Sequence, residues 1–183
     1  MQDRIPKTFR YNEIPGNILD YETEYTLALA TSADFSMSDS TSQLIDNRYK
    51  TREWLMRAYP HNTWQSKGEC YVSNDNHIFN LIVKARAWQK ATYENVREAL
   101  QSMREIALER NIVAIAMPRI CCEYDGLDWN IIHDMIFEVF DGDEIEIKVV
   151  YEKEFIHGEI KDGELDKEMY RKCKDKELSG RYF

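Results

Sequence analysis

Two runs of apolar residues constrain this chain more than anything else in it. Phe79-Asn80-Leu81-Ile82-Val83-Lys84 and Ile112-Val113-Ala114-Ile115-Ala116-Met117 are nearly continuous in hydrophobic side chains, with no alternation. A strand with one wet face alternates with period two, so runs of this kind read as strands covered on both faces. Between them Val96, Ala99, Leu100, Met103 and Ala107 recur at helical spacing, and Thr92 stands where an N-cap belongs. Strand, amphipathic helix and buried strand in succession imply parallel strands joined by a crossover helix. The chain is therefore expected to be α/β.

The same pattern extends in both directions. Strands are expected over 8–14, 25–31, 69–73, 77–84, 112–117 and 144–151. A second clear helix follows Asp128, with Ile132, Met135, Ile136 and Val139 on one face and Asp141-Gly142 as its stop. A third, over 44–58, has a blurred apolar stripe. Residues 152–183 change character, with eight Lys or Arg and nine Asp or Glu. They read as a C-terminal extension, helical or loose, beyond one domain over 1–151, and could carry a protein partner.

Charge limits the partners. Lys plus Arg is 24 against 33 Asp plus Glu, a formal net charge of −9. A generic binder of the phosphate backbone needs a basic surface, whereas a small anionic ligand needs only a few local groups. No apolar run reaches the roughly 20 residues of a membrane helix, so no membrane partner is expected. The first residues lack the layout of an export signal, and Cys70, Cys121, Cys122 and Cys173 form no metal or disulfide framework. Both observations point to a cytoplasmic protein with reduced thiols.

Ligands of open α/β sheets bind where strand carboxyl ends lead into helices. That rule selects the segments after the first, second, fourth and fifth strands. Lys84 directly follows a buried strand, and desolvation of an amine favours its neutral, nucleophilic form. Asp125, in the loop before the Asp128-capped helix, is the matching acid, base or orienting group. Arg86 and Lys90 flank Trp88 and could meet a phosphate or an aromatic ring. His61, His77, His133 and His157 are scattered and read as structural or surface residues. Hydrolase elbow, Walker and Rossmann glycine patterns are absent.

Taken in order, these segments resemble one family. Leu81-Ile82-Val83-Lys84, Ala85-Arg86-Ala87 and Lys90-Ala91-Thr92-Tyr93-Glu94-Asn95 look like a strand, catalytic lysine and helix start of macro domains. The similar branch is the one containing terminal ADP-ribose protein glycohydrolase. Met117-Pro118-Arg119-Ile120 and Asp125-Gly126-Leu127-Asp128-Trp129 look like that branch's second ligand loop, and the closing strand, 143–151, is similar as well. The resemblance implies a three-layer αβα fold around a mixed sheet, with ADP-ribose across the strand ends. It implies that Lys84 attacks C1″ of the distal ribose and that Asp125 helps release the lysine adduct. The substrate would be an ADP-ribosylated protein or nucleic acid, and no cofactor or metal is implied.

The same resemblance places the remaining contacts. Asn17 and Ile18 would hold the adenosine end, with Asn17 accepting from the adenine amine where the family usually has aspartate. Ser38, Ser40 and Thr41 stand in the first loop, where the family has close glycines. Pro118, Ile120, Cys121, Cys122, Glu123 and Tyr124 form the second, with Cys121 and Glu123 in place of glycines. Asp39 and Glu123 would oppose a diphosphate there. Two alternatives to hydrolysis remain open: a module that binds ADP-ribose or a nucleotide without turnover, and a macro-like scaffold for protein contacts.

Overall fold

The computed structural model describes residues 8–60, 67–75 and 77–152. Six strands form one sheet in the order β1-β6-β5-β2-β4-β3. They are β1 (Arg10–Pro15), β2 (Thr26–Ser32), β3 (Cys70–Ser73), β4 (Ile78–Lys84), β5 (Ala114–Met117) and β6 (Glu146–Tyr151). Every neighbouring pair is parallel except β3 with β4, so the sheet is mixed. The helices are α1 (Ser40–Tyr49), α2 (Thr51–Ala58), α3 (Tyr93–Glu109) and α4 (Trp129–Phe140), with a short 3-10 turn at Ile18–Tyr21.

The apolar runs sort cleanly onto the two faces of the sheet. In β4, Phe79, Leu81 and Val83 join the core under α3 and α4, while Ile78 and Ile82 join the core under α1 and α2. All seven β4 residues are buried, which is why its sequence does not alternate. α3 contributes Val96, Ala99, Leu100, Met103 and Ala107 to the first core, the stripe legible in the sequence. The result is three layers, αβα. Among the described residues no helix is long and apolar enough to cross a membrane.

Local chemistry sets the element ends. Thr92 accepts from the Asn95 amide at 3.2 Å and starts α3; Asp128 accepts from the Asn130 amide at 2.9 Å and starts α4. α4 stops at Asp141, and Gly142 follows with φ +77°, a left-handed angle that favours glycine. The expected single helix over 44–58 is two helices. Lys50 takes a left-handed conformation, φ 54°, and the Asp46 carboxylate accepts the Arg52 amide at 2.7 Å to restart the chain as α2. That break is why no single stripe fits the segment. The 3-10 turn after β1 was not anticipated. The extension over 153–183, His61, His157 and Cys173 lie outside the described residues.

Leu100 is fully buried between α3 and the sheet, whereas Arg97 on the same helix makes a solvent-facing ion pair with Glu138. Leu100→Ala is expected to cost about 2–5 kcal/mol by cavity formation, and Arg97→Ala less than about 1 kcal/mol. Urea unfolding midpoints of the two variants check this, and equal losses would contradict the assigned face of α3.

Candidate active site

Lys84 is the last residue of β4, beside a register shift where β2 ends. Its carbonyl accepts the Ala33 amide at 2.9 Å, which pins the backbone while the side chain leaves the sheet. The ammonium donates to Asp125 Oδ1 at 3.0 Å, and the two side chains are only 5% and 9% exposed. The same Oδ1 accepts the Ala91 amide at 2.9 Å, just before the Thr92 cap of α3. One carboxylate oxygen therefore ties the end of β4, the start of α3 and the loop after β5. Ionised groups taken this far from water persist only when their hydrogen bonds are made.

The loop carrying Asp125 is braced from several sides. Lys90 Nζ donates to the Tyr124 carbonyl and lies 3.7 Å from the centre of the Tyr124 ring; Lys84 Nζ lies 4.7 Å from the same ring. The Tyr124 hydroxyl donates to the Trp88 carbonyl at 3.3 Å. The Asp128 amide donates to the Tyr93 hydroxyl at 2.9 Å, tying the loop's far end to α3. Cys121 holds φ 61° without being glycine, and its carbonyl accepts the Leu127 amide at 3.0 Å. That conformation costs a side-chain-bearing residue about 1–2 kcal/mol, which burial of the thiol helps offset. Burial also pushes the Cys121 thiol well above the ordinary range, and Cys122 up to about 12, so neither is a ready nucleophile.

Around the pair opens a cleft at the carboxyl ends of the strands. It is lined by Lys84 and Asp125, by Ser38 and Thr41, and by Pro118, Ile120, Cys121, Glu123 and Tyr124. Ala30, Thr31, Val83, Asp39 and Arg119 complete the wall. Four residues named from the sequence are not on it. Ser40 lies in the first turn of α1, and its hydroxyl donates to Glu123 Oε1 at 3.0 Å. The Cys122 thiol donates to the Ile120 carbonyl. Asn17 caps the 3-10 turn by accepting the Leu19 amide at 3.0 Å, and Ile18 is buried in the second core. Of the three first-loop hydroxyl residues, Ser38 and Thr41 line the cleft, while the Ser40 hydroxyl is taken up by Glu123.

Sequence reasoning left Arg119 without a role. Its guanidinium donates to Glu13 Oε1 at 2.6 Å and lies 4.4 Å from the centre of the Tyr151 ring. It braces β1 and β6 below the second loop. The signal was a cation between Pro118 and Ile120 at a strand end. Among the described residues no group of three His, Cys, Asp or Glu is placed to hold a metal.

Two acidic residues, Asp39 and Glu123, also line the cleft. Asp39 accepts the Ser42 amide at 2.9 Å and the Ser42 hydroxyl at 2.7 Å, capping α1. The helix end that could have met an anion is thus occupied by the chain's own carboxylate. Burial drives the Asp39 pKa up. Glu123 is likewise raised, first by burial and then by the Asp39 charge, with the Ser40 hydrogen bond acting the other way.

No family model matches the chain. The fold is similar to the macrodomain of Mycobacterium tuberculosis DarG, with a TM-score of 0.64 and 18% identity over 78% of this chain and 97% of that one. Thermosipho africanus DarTG, solved in complex with ADP-ribose, aligns at TM-score 0.61 and 15% identity over 78% of this chain and 42% of that one. An αβα sandwich of this strand order, with its cleft at the strand ends, is a macro domain. The human ADP-ribose glycohydrolase OARD1 is 30% identical over 146 residues, 79% of this chain and 93% of that protein. The chain belongs to the macro domains of this terminal ADP-ribose glycohydrolase type.

A carboxyl whose pKa is raised by folding destabilises the folded state at any pH where the unfolded chain ionises it. The penalty is absent below the ordinary Glu value, grows as pH rises from that value to the raised one, and is constant above it. Glu123→Gln can still accept from Ser40 and carries no charge. It is expected to stabilise the fold at pH 7 by about 0.5 kcal/mol, a modest figure because Glu123 sits at an open lip. The gain should vanish near pH ~4, where the wild-type side chain takes up its own proton. Melting curves of both proteins at the two pH values check the sign.

Proposed function

We propose that the chain is an ADP-ribosyl hydrolase in which Lys84 and Asp125 carry the chemistry. The observation that supports this most is the buried Lys84–Asp125 hydrogen bond, 3.0 Å, on the wall of a cleft at the carboxyl ends of parallel strands. The name of the human relative, ADP-ribose glycohydrolase, supplies the substrate class. Asp125 takes a proton from the Lys84 ammonium, and the amine attacks C1″ of the distal ribose. The bond from C1″ to the protein carboxylate or nucleic-acid base breaks, and its electron pair leaves with that group. Asp125 passes its proton to the departing group or to solvent. Water then attacks C1″, and the C1″–Nζ bond breaks with its electron pair returning to the lysine nitrogen. The water's hydroxyl stays on the ribose, and its other proton reaches the amine through Asp125. The Ala91 amide holds Asp125 in place through both steps.

ADP-ribose would lie with adenosine towards Asn17 and Ile18 and its distal ribose at Lys84. The diphosphate between them would meet Ser38, Thr41 and the backbone of 120–124, with Asp39 and Glu123 nearby. A second reading, a module that binds without turnover, draws on those two carboxylates. Three described cysteines, Cys70, Cys121 and Cys122, are free thiols, which suits a cytoplasmic setting. The domain would run over 1–151, with 152–183 as an extension available for protein contacts.

Turnover on ADP-ribosylated protein and on ADP-ribosylated oligonucleotide tests the two readings. Lys84→Ala is expected to abolish release of ADP-ribose, and Asp125→Ala to lower it by about 10²–10⁴-fold. Wild-type binding of ADP-ribose without turnover on either substrate would establish the second reading. Glu123→Gly should tighten ADP-ribose binding by about 1 kcal/mol, less at high salt, which calorimetric titration at two ionic strengths measures. Asn17→Asp should keep or tighten binding, since a charged acceptor makes the stronger bond to an amine; lost binding would move the adenine elsewhere.

A further inference from the structure

The loop between Lys84 and α3 carries a feature that the hydrolytic chemistry does not use. Ala85 and Ala87 are buried, while Arg86 and Trp88 point outward. The turn is closed by two hydrogen bonds, Gln89 amide to Arg86 carbonyl and Arg86 amide to Gln89 Oε1, each 3.1 Å. Trp88 is fastened by its own carbonyl to the Tyr124 hydroxyl, and Tyr124 lines the cleft beside Lys84. Yet Trp88 is 50% exposed, the most of any described Phe, Tyr or Trp, and its indole stacks on no ring among the described residues. A connection of this length needs no indole to reach α3. A large apolar ring held on a rigid turn loses little freedom when something stacks on it.

The charge around it is equally local. The chain carries a net −9, but residues 77–93 contain Lys84, Arg86 and Lys90 and no acid. Arg86 makes no ion pair among the described residues. A cation alone would suit a carboxylate or a phosphate. An exposed indole beside a free guanidinium suits a group that has both a flat face and a phosphate, which is a nucleotide. Position adds to this. The turn is joined to the cleft through Tyr124, whose hydroxyl bonds to the Trp88 carbonyl and which lines the wall with Lys84.

We infer that Trp88 is a specificity-determining residue for the macromolecular side of the substrate, stacking on a nucleobase of single-stranded nucleic acid while Arg86 meets a neighbouring phosphate. The inference rests on the hydrolase reading for the placement of that base, and not for the stacking itself. An overall acidic chain with one short basic lip would engage a nucleotide or two at the reaction centre, and no long tract.

Two measurements separate the possibilities. In the first, Trp88→Ser, Trp88→Phe and wild type are compared on an ADP-ribosylated single-stranded oligonucleotide and on ADP-ribosylated protein. Base stacking on one aromatic side chain spans roughly 5- to 150-fold. Trp88→Ser is expected to lower kcat/KM on the oligonucleotide about tenfold more than on the protein, with Trp88→Phe recovering most of the difference. Equal losses on both substrates, a larger loss on the protein, or no loss would overturn the inference. The second uses an unmodified oligonucleotide and intrinsic fluorescence. Quenching should occur in wild type, be missing in Trp88→Phe and weaken with salt. Quenching that persists in Trp88→Phe, or none in wild type, would overturn it as well. This readout needs no turnover, so failure of the hydrolase reading would not be mistaken for failure of the stacking.

Discussion

The site depends on keeping an ammonium and a carboxylate together where water barely reaches. Each ion loses several kcal/mol of hydration on burial, and their attraction offsets this only if the remaining hydrogen-bonding positions are filled. Here the Ala91 amide fills one, so Asp125 Oδ1 accepts two donors at about the same length. The consequence reaches well beyond the pair. The loop after β5 must close onto the start of α3, and Cys121 must hold a left-handed angle for it to do so. Lys90 on the Tyr124 carbonyl and Tyr93 on the Asp128 amide secure the same closure. Removing one charge would leave its partner buried and unpaired, a larger penalty than losing a surface pair.

That same closure shows how a loop can hold a left-handed angle without glycine. Glycine is favoured at positive φ because it has no Cβ to clash, not because other residues are forbidden there. Cys121 keeps the angle and places its thiol in the core with Ile120. Glu123 exploits the neighbouring position differently, reaching across 83 residues to the Ser40 hydroxyl. Asp39 then caps the helix that Ser40 begins. The loop turns at Cys121 without glycine, and its side chains add negative charge to the cleft wall. An anion entering here meets fewer positive dipoles and more negative charge than a helix end would normally offer.

Much of this was legible in residues read singly. The unbroken hydrophobicity of β4 required burial on both faces, and the α3 stripe and its Thr92 cap required a crossover, so the sheet's core followed. Lys84 stood out because a charged residue directly continued that buried run. Asp125 did not stand out in the same way; as a polar residue before Gly126 it looked like any turn aspartate, and its importance came from family resemblance. The 44–58 segment and the Ser40 contact were illegible for another reason. A left-handed Lys50 and a hydroxyl–carboxylate bond between distant loops leave no periodic trace, because they depend on where two parts of the chain meet in space. Arg119 was hidden likewise, since its partners Glu13 and Tyr151 come from opposite ends of the domain.

Tyr124 shows what this dependence means for chemistry. Its ring is within 4.7 Å of the Lys84 amine, its carbonyl is held by Lys90, and its hydroxyl reaches the Trp88 carbonyl. An aromatic face favours a nearby cation, and more so away from water. The ring therefore stabilises the ammonium as the neighbouring carboxylate does, while also keeping solvent from the amine. A lysine so protected is poised rather than permanently reactive. Under the proposed hydrolysis it would become a nucleophile when Asp125 takes the proton, and a substrate that fills the cleft and excludes the last water would favour that transfer by disfavouring separated charges. On that proposal substrate binding and nucleophile activation would be one event, coupled through Tyr124, which stands between the buried pair and the exposed indole.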